Sequence, residues 1–158
     1  MSLDLERVPA QRPDSVLYPG CMAACEYRKG GEYEAEVGEL RDEATGARVY
    51  RMTSHDSINH LSYFLQSSFT PDGRRLVFTS YRTGEAQIFE AAFPSGRLRQ
   101  LTAGAPVHPY SPTLAPDGRR LYFVRGGGVW RLEMDSLEER PVVEFEGAQL
   151  GECTLGDG

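Results

Sequence analysis

The sequence predicts an all-β fold, a partial β-propeller, and three observations carry that prediction. First, a phrase occurs twice. Ser68-Phe69-Thr70-Pro71-Asp72-Gly73-Arg74-Arg75-Leu76-Val77-Phe78 returns as Thr113-Leu114-Ala115-Pro116-Asp117-Gly118-Arg119-Arg120-Leu121-Tyr122-Phe123. The two Asp-Gly steps lie 45 residues apart, a period that suits stacked four-stranded blades. Second, a third Asp-Gly, Asp157-Gly158, follows 40 residues later, after Thr154-Leu155-Gly156. Third, the apolar runs are short and separated by turns, in a chain with 17 Gly and 10 Pro. The expectation is about two complete four-stranded blades, roughly 54–102 and 103–146, plus parts of two others.

Taken in order, residues 1–28 show no sustained period. Pro9, Pro13, Pro19 and Gly20 interrupt any helix, which predicts an extended or disordered leader. Residues 29–158 are then the propeller portion, truncated within the next blade. Tyr33 to Leu40 alternates and predicts a strand. Asp42-Glu43-Ala44-Thr45-Gly46 turns into a second strand, Arg48 to Thr53. These two precede the first full repeat, so they read as outer strands of a blade completed by another part of the chain.

In the first repeat, Tyr63 to Phe69 is expected to be the innermost strand. Pro71-Asp72-Gly73 turns, because Gly tolerates the positive φ of a tight turn and Asp bonds the backbone beyond it. Leu76-Val77-Phe78-Thr79 is continuously apolar, as suits a strand sandwiched between blades. Gln87 to Ala91 is the third strand and Leu98 to Leu101 the outer one. The second repeat follows suit: Ser111 to Leu114 inner, Leu121 to Val124 sandwiched, Val129 to Leu132 third, Arg140 to Phe145 outer. Gln149 to Leu155 begins a further blade. A blade buries a face against each neighbour, and closure removes sheet edges. The expected partners are therefore the remaining propeller blades, or self-association through exposed edges.

Composition narrows the function. A net charge of −6 argues against nonspecific nucleic-acid binding. No apolar run approaches the roughly 18 residues that span a bilayer, so no membrane partner is expected. Met1 to Arg7 lacks a basic stretch leading into an apolar one, which predicts a cytoplasmic protein. Cys21, Cys25 and Cys153 then read as reduced thiols, since no further His or Cys pair completes a zinc set around the first two.

Three histidines, His55, His60 and His108, each precede an innermost strand, near the axial mouth where propellers place ligands. Asn59-His60-Leu61-Ser62-Tyr63-Phe64 is the densest polar-aromatic cluster. His60 is either a ligand, a base or a carboxylate contact at the funnel, or a loop histidine satisfied by a backbone carbonyl; His108 occupies the equivalent mouth of the next blade. Asp72, Asp117 and Asp157 recur in every turn and read as turn residues. Gly126-Gly127-Gly128 precedes no helix, so it is a hairpin turn and not an anion cradle. No nucleophile elbow, zinc-protease motif or phosphate loop is present.

Lys29-Gly30-Gly31, Glu39 to Asp42, Thr45-Gly46, Val49 and Arg51-Met52-Thr53 resemble the opening of the oligogalacturonate lyases, with one extra residue in the Asp42-to-Gly46 turn. His60-Leu61-Ser62-Tyr63-Phe64, running into Phe69 to Gly73, is similar to that family's first inner strand. Leu121 to Val124 and Arg131 to Glu139 fit as well. The repeat phrase alone is shared with Tol-system propellers and the propellers of prolyl oligopeptidases, so the alternative reading of this chain is a noncatalytic Tol-type repeat module that binds a protein or sugar partner. The resemblance implies a seven-bladed propeller that cleaves short α-1,4-linked oligogalacturonates, an acidic oligosaccharide of pectin degradation, by β-elimination with manganese. It implies metal ligands in later blades, so no metal ligand, cofactor or catalytic base is carried onto these residues. It does imply substrate-binding roles for His60 and Tyr63. On that reading the chain by itself is inactive.

Overall fold

The strands begin where the repeat places them. The computed structural model describes residues 27–156. Among them there is no helix, and every strand pairing is antiparallel. The first blade runs β4 (Asn59–His60), β5 (Arg75–Ser80), β6 (Gln87–Ala92), β7 (Leu98–Gln100), from the inner edge outward. The second runs β8 (Thr113–Leu114), β9 (Arg120–Arg125), β10 (Gly128–Glu133), β11 (Glu139–Glu144). β5 and β9 differ by 45 in number at both ends, whereas β6 and β10 differ by 41. A six-residue connection, 81–86, has become the two-residue hairpin Gly126-Gly127, with Gly128 already inside β10.

The Asp-Gly turns are equivalent. Gly73 N–H donates to Thr70 C=O and Gly118 N–H to Ala115 C=O, each at 2.8 Å. Asp72 Oδ1 accepts from Arg74 N–H at 3.0 Å, and Asp117 Oδ1 from Arg119 N–H at 2.9 Å. The aspartates do turn work, and both carboxyls sit below their ordinary range. For Asp72 the Thr70 hydroxyl contributes most, for Asp117 the Arg119 amide. Asp157 lies outside the described residues.

β5 is buried along almost its whole length because it is covered on both faces. Val77 and Ile88 face the second blade and join Leu101, Leu121, Phe123, Leu132 and Met134 in the core between the blades. Leu76, Phe78 and Phe89 face the other way and pack with Ala91, Leu98, Tyr27, Tyr33 and Met52. A strand sandwiched in this way cannot alternate polar and apolar, which accounts for the continuous apolar runs.

Three expectations need correction. Tyr33 to Leu40 is not one strand. β1 (Glu32–Tyr33) pairs with β7 at the outer edge of the first blade, Tyr33 opposite Leu98. β2 (Gly38–Arg41) pairs instead with β3 (Arg48–Arg51) in a hairpin that joins neither blade sheet among the described residues. Residues 34–37 cross between the two, passing the β6–β7 turn. There Gly96, at φ +74°, comes so close to Val37 that a Cβ would lie 2.4 Å from the Val37 Cβ. Tyr63 to Phe69 is not a continuous inner strand either. His60 pairs opposite Thr79 and Phe69 opposite Leu76, so residues 61–68 face only Val77 and Phe78 across the sheet. Eight residues opposite two must leave the ladder. The strand expected to begin the next blade at Gln149 is irregular backbone here. The leader expectation for residues 1–28 falls almost wholly outside the described residues.

Candidate functional site

The segment that leaves the ladder builds a site. Ser62 N–H donates to Ser68 Oγ at 3.0 Å and closes the base of the loop. Gln66 N–H donates to Tyr63 C=O at 2.8 Å, making a turn with Phe64 and Leu65 at its centre. Tyr63 N–H donates to Tyr110 C=O of the second blade at 3.2 Å. Thr113 Oγ1 donates to Gln66 Oε1 at 2.5 Å. The loop is thus pinned to the neighbouring blade at two points.

His60 and Tyr63, the residues singled out from the sequence, line one open concavity of about 470 Å³ together with Ser62, Phe64, Tyr110 and Glu152. Both are half-buried. The His60 ring lies edge-on to Tyr110, centroids 4.6 Å apart, and 6.0 Å from Tyr81. Tyr110 and Glu152 were not legible as partners of His60. The one sequence signal was length: His60 precedes Ser68 by eight residues, His108 precedes Thr113 by five, so the first repeat carries three extra residues here.

The other histidines do different work. His108 N–H donates to Val124 C=O at 2.8 Å, in the place of the second blade that His60 holds in the first. Its ring is tilted against Tyr110, centroids 6.3 Å apart. His55 Nδ1 is held by the Ser57 hydroxyl at 2.9 Å and its N–H at 3.1 Å. Among the described residues no three His, Cys, Asp or Glu side chains converge as a metal donor set. Cys153 is a free thiol whose pKa burial pushes up; Cys21 and Cys25 lie outside the described residues.

The structure also holds a buried charged group that the sequence did not reveal. Arg82 is completely buried as a side chain and donates to Glu36 Oε1 at 2.8 Å, to Thr53 Oγ1 at 3.0 Å and to Ser80 Oγ at 2.9 Å. Its guanidinium lies 5.0 Å from the Phe89 ring centroid. Burial works against ionising Glu36, but the Thr53 hydroxyl and then Arg82 outweigh it and hold its pKa below the ordinary 4.5. This cluster ties the crossing segment and the end of β3 to the first blade, against the wall that carries His60.

The family model described as oligogalacturonate lyase matches residues 28–155. The oligogalacturonate lyase of Dickeya dadantii is 29% identical over 124 residues, 78% of this chain and 32% of its own length. A solved oligogalacturonate lyase in complex with manganese superposes with a TM-score of 0.70 at 30% identity, over 77% of this chain and 32% of that one. TolB from Acinetobacter baumannii matches with a TM-score of 0.52 at 16% identity, over 69% of this chain and 27% of that one, a likeness of fold alone. The chain spans about a third of the length of the lyases it matches. Because the family match runs through the crossing segment, the hairpin and both blades, this chain belongs to the oligogalacturonate lyase family.

Proposed function

We propose that this chain forms part of a cytoplasmic lyase that cleaves short pectin-derived oligogalacturonates by β-elimination. His60 and Tyr63 touch the sugar at the axial mouth. The observation that carries this reading is the concavity in which both side chains converge, in a chain of this family.

The reaction removes a proton α to a carboxylate and expels the neighbouring glycosidic oxygen. It needs a base and a counter-charge for the carboxylate. A relative's structure contains manganese, which would supply that counter-charge when bound. The described residues do not fit a manganese site. His55 is held by Ser57, and no three His, Cys, Asp or Glu side chains converge among the described residues. No step is therefore assigned to a metal on these side chains. The metal ligands and the base are expected in blades that the matched third does not include. The Tol-type reading, a noncatalytic binding module, rests on a likeness of fold and a 51-residue sequence match to a TolB homolog.

The test has two arms. The pure 158-residue chain is mixed with trigalacturonate, with and without manganese, and unsaturated uronate is followed by its ultraviolet absorbance. No product is expected, and a manganese-dependent rise would show that these blades suffice. In a complete homologue, replacing the histidine equivalent to His60 with Ala should lower turnover about tenfold while sparing manganese affinity and melting temperature. A variant that only melts earlier would make His60 a packing residue.

A further inference from the structure

The loop 61–68 has a property that blade packing does not require. Its turn carries Phe64 and Leu65 at the tip, 79% and 76% exposed, while its feet are pinned by Tyr63 N–H on Tyr110 and by Gln66 on Thr113. The second repeat, three residues shorter here, builds the same sheet without it. The tip is therefore additional to the blade. Tyr63 and Phe64 rings lie 4.3 Å apart, tilted by 47°, and share the concavity with His60 and Tyr110.

The charge of this concavity is informative. It contains no Arg or Lys, and Glu152 contributes a carboxylate to its wall. A uronate carboxylate placed here would meet repulsion from Glu152 and no fixed cation. The uncharged face of a pyranose ring meets neither problem. Its C–H groups are weakly positive and complement the negative face of an aromatic ring. Ser62, Tyr63 and Tyr110, which line the concavity, carry hydroxyls that can bond those of the sugar.

Resting on the oligosaccharide reading above, we infer that Tyr63, Phe64 and Tyr110 form a neutral aromatic platform for the C–H face of one sugar ring. That ring's carboxylate is turned away from Glu152. Phe64 is thus a positioning and specificity residue, and recognition of the acid groups lies elsewhere. The pinned turn pre-organises the platform, so little ordering is needed on binding.

The experiment is saturation-transfer NMR and titration on the 158-residue chain, with trigalacturonate and its full methyl ester as probes. Saturation of the aromatic protons should reach the ring C–H protons of both probes. Phe64→Ala should weaken binding about fivefold, Phe64→Tyr should restore it, and Glu152→Gln should strengthen binding of the free acid more than of the ester. The melting temperature should not move, since Phe64 is exposed. If the free acid binds equally well to wild type and Phe64→Ala, the platform is wrong and the oligogalacturonate reading stands. If only the ester binds, and through Phe64, the platform stands and the oligogalacturonate reading fails. Binding of neither probe overturns both. A concentration-dependent dimer abolished by Phe64→Ala makes the tip a contact between copies and overturns the platform.

Discussion

Arg82 and Glu36 meet as a fork inside the protein: Nη1 donates to Oε1 at 2.8 Å and Nη2 to Oε2 at 3.3 Å. The two residues lie 46 positions apart and belong to different layers. Arg82 follows β5 in the first blade, and Glu36 sits in the segment crossing from β1 to β2. The Thr53 hydroxyl also bonds the Glu36 carboxylate, and the His55 N–H approaches it at 3.3 Å. One buried ion pair thus gathers three chain segments, around Arg82, Glu36 and residues 53–55.

Breaking this fork from one side leaves a buried charge without its partner. Glu36→Ala is expected to cost about 3 kcal/mol in urea unfolding. The double variant Glu36→Ala, Arg82→Met removes both charges and should recover most of that loss, because an apolar side chain can occupy the space between Phe78 and Phe89. If the double variant is as unstable as the sum of the single ones, the two residues do not act as a pair.

Acid should weaken the fold through three named carboxyls. Glu36, Asp72 and Asp117 all have folded pKa values below their ordinary ones, so the folded state favours their ionised forms. Their contribution is fully present above the unfolded values, near 4 to 4.5, and fades as pH falls through the lower folded values. Urea midpoints should be level from neutral pH down to about pH 5 and fall below that. Glu36→Gln should flatten part of the fall; an unchanged slope would count against Glu36 as a contributor.

Two glycines in the repeated phrase should respond differently to the same substitution. Gly73 and Gly118 have φ of +68° and +65°. Around Gly73 a Cβ meets open space, but at Gly118 it would lie 2.8 Å from Pro71 Cδ of the first blade's turn. Gly73→Ala is expected to cost about 1 kcal/mol, the penalty of positive φ alone. Gly118→Ala should cost about 3 kcal/mol, because the blades must also separate. Equal costs in thermal unfolding would mean that the turns do not touch.

The outer strand of the second blade is also held from a distance. Lys29 Nζ donates to Glu139 Oε1 at 2.5 Å, and Arg125 pairs with the other oxygen of that carboxylate. Next to Lys29, Gly30 N–H donates to Gln100 C=O at 2.8 Å. Glu139→Ala should loosen residues 28–31, so hydrogen exchange at the Gly30 amide should quicken at least tenfold while β5 and β6 keep their protection. Uniform loss of protection would point to global destabilisation instead.

The all-β class, both blades and the equivalence of their turns were determined by the sequence alone, because each rests on local chemistry. Asp-Gly supplies the turn, and a continuous apolar run supplies a strand buried on both faces. Thr70-Pro71-Asp72-Gly73 and Ala115-Pro116-Asp117-Gly118 need no partner to announce themselves. The family was legible too, since the Lys29 to Thr53 opening and the His60 to Phe64 run are contiguous strings. Local pattern failed where pairing space decides. Tyr63 to Phe69 looks like a strand, and only the registers His60–Thr79 and Phe69–Leu76 show that residues 63–67 have nothing to pair with. Tertiary structure alone decided that Tyr110 and Glu152 would share a concavity with His60, that Glu36 would neutralise Arg82, and that Gly118 would abut Pro71. Each of these contacts joins residues more than 40 positions apart. Their proximity depends on how one blade stacks on the next, and no local propensity encodes that stacking.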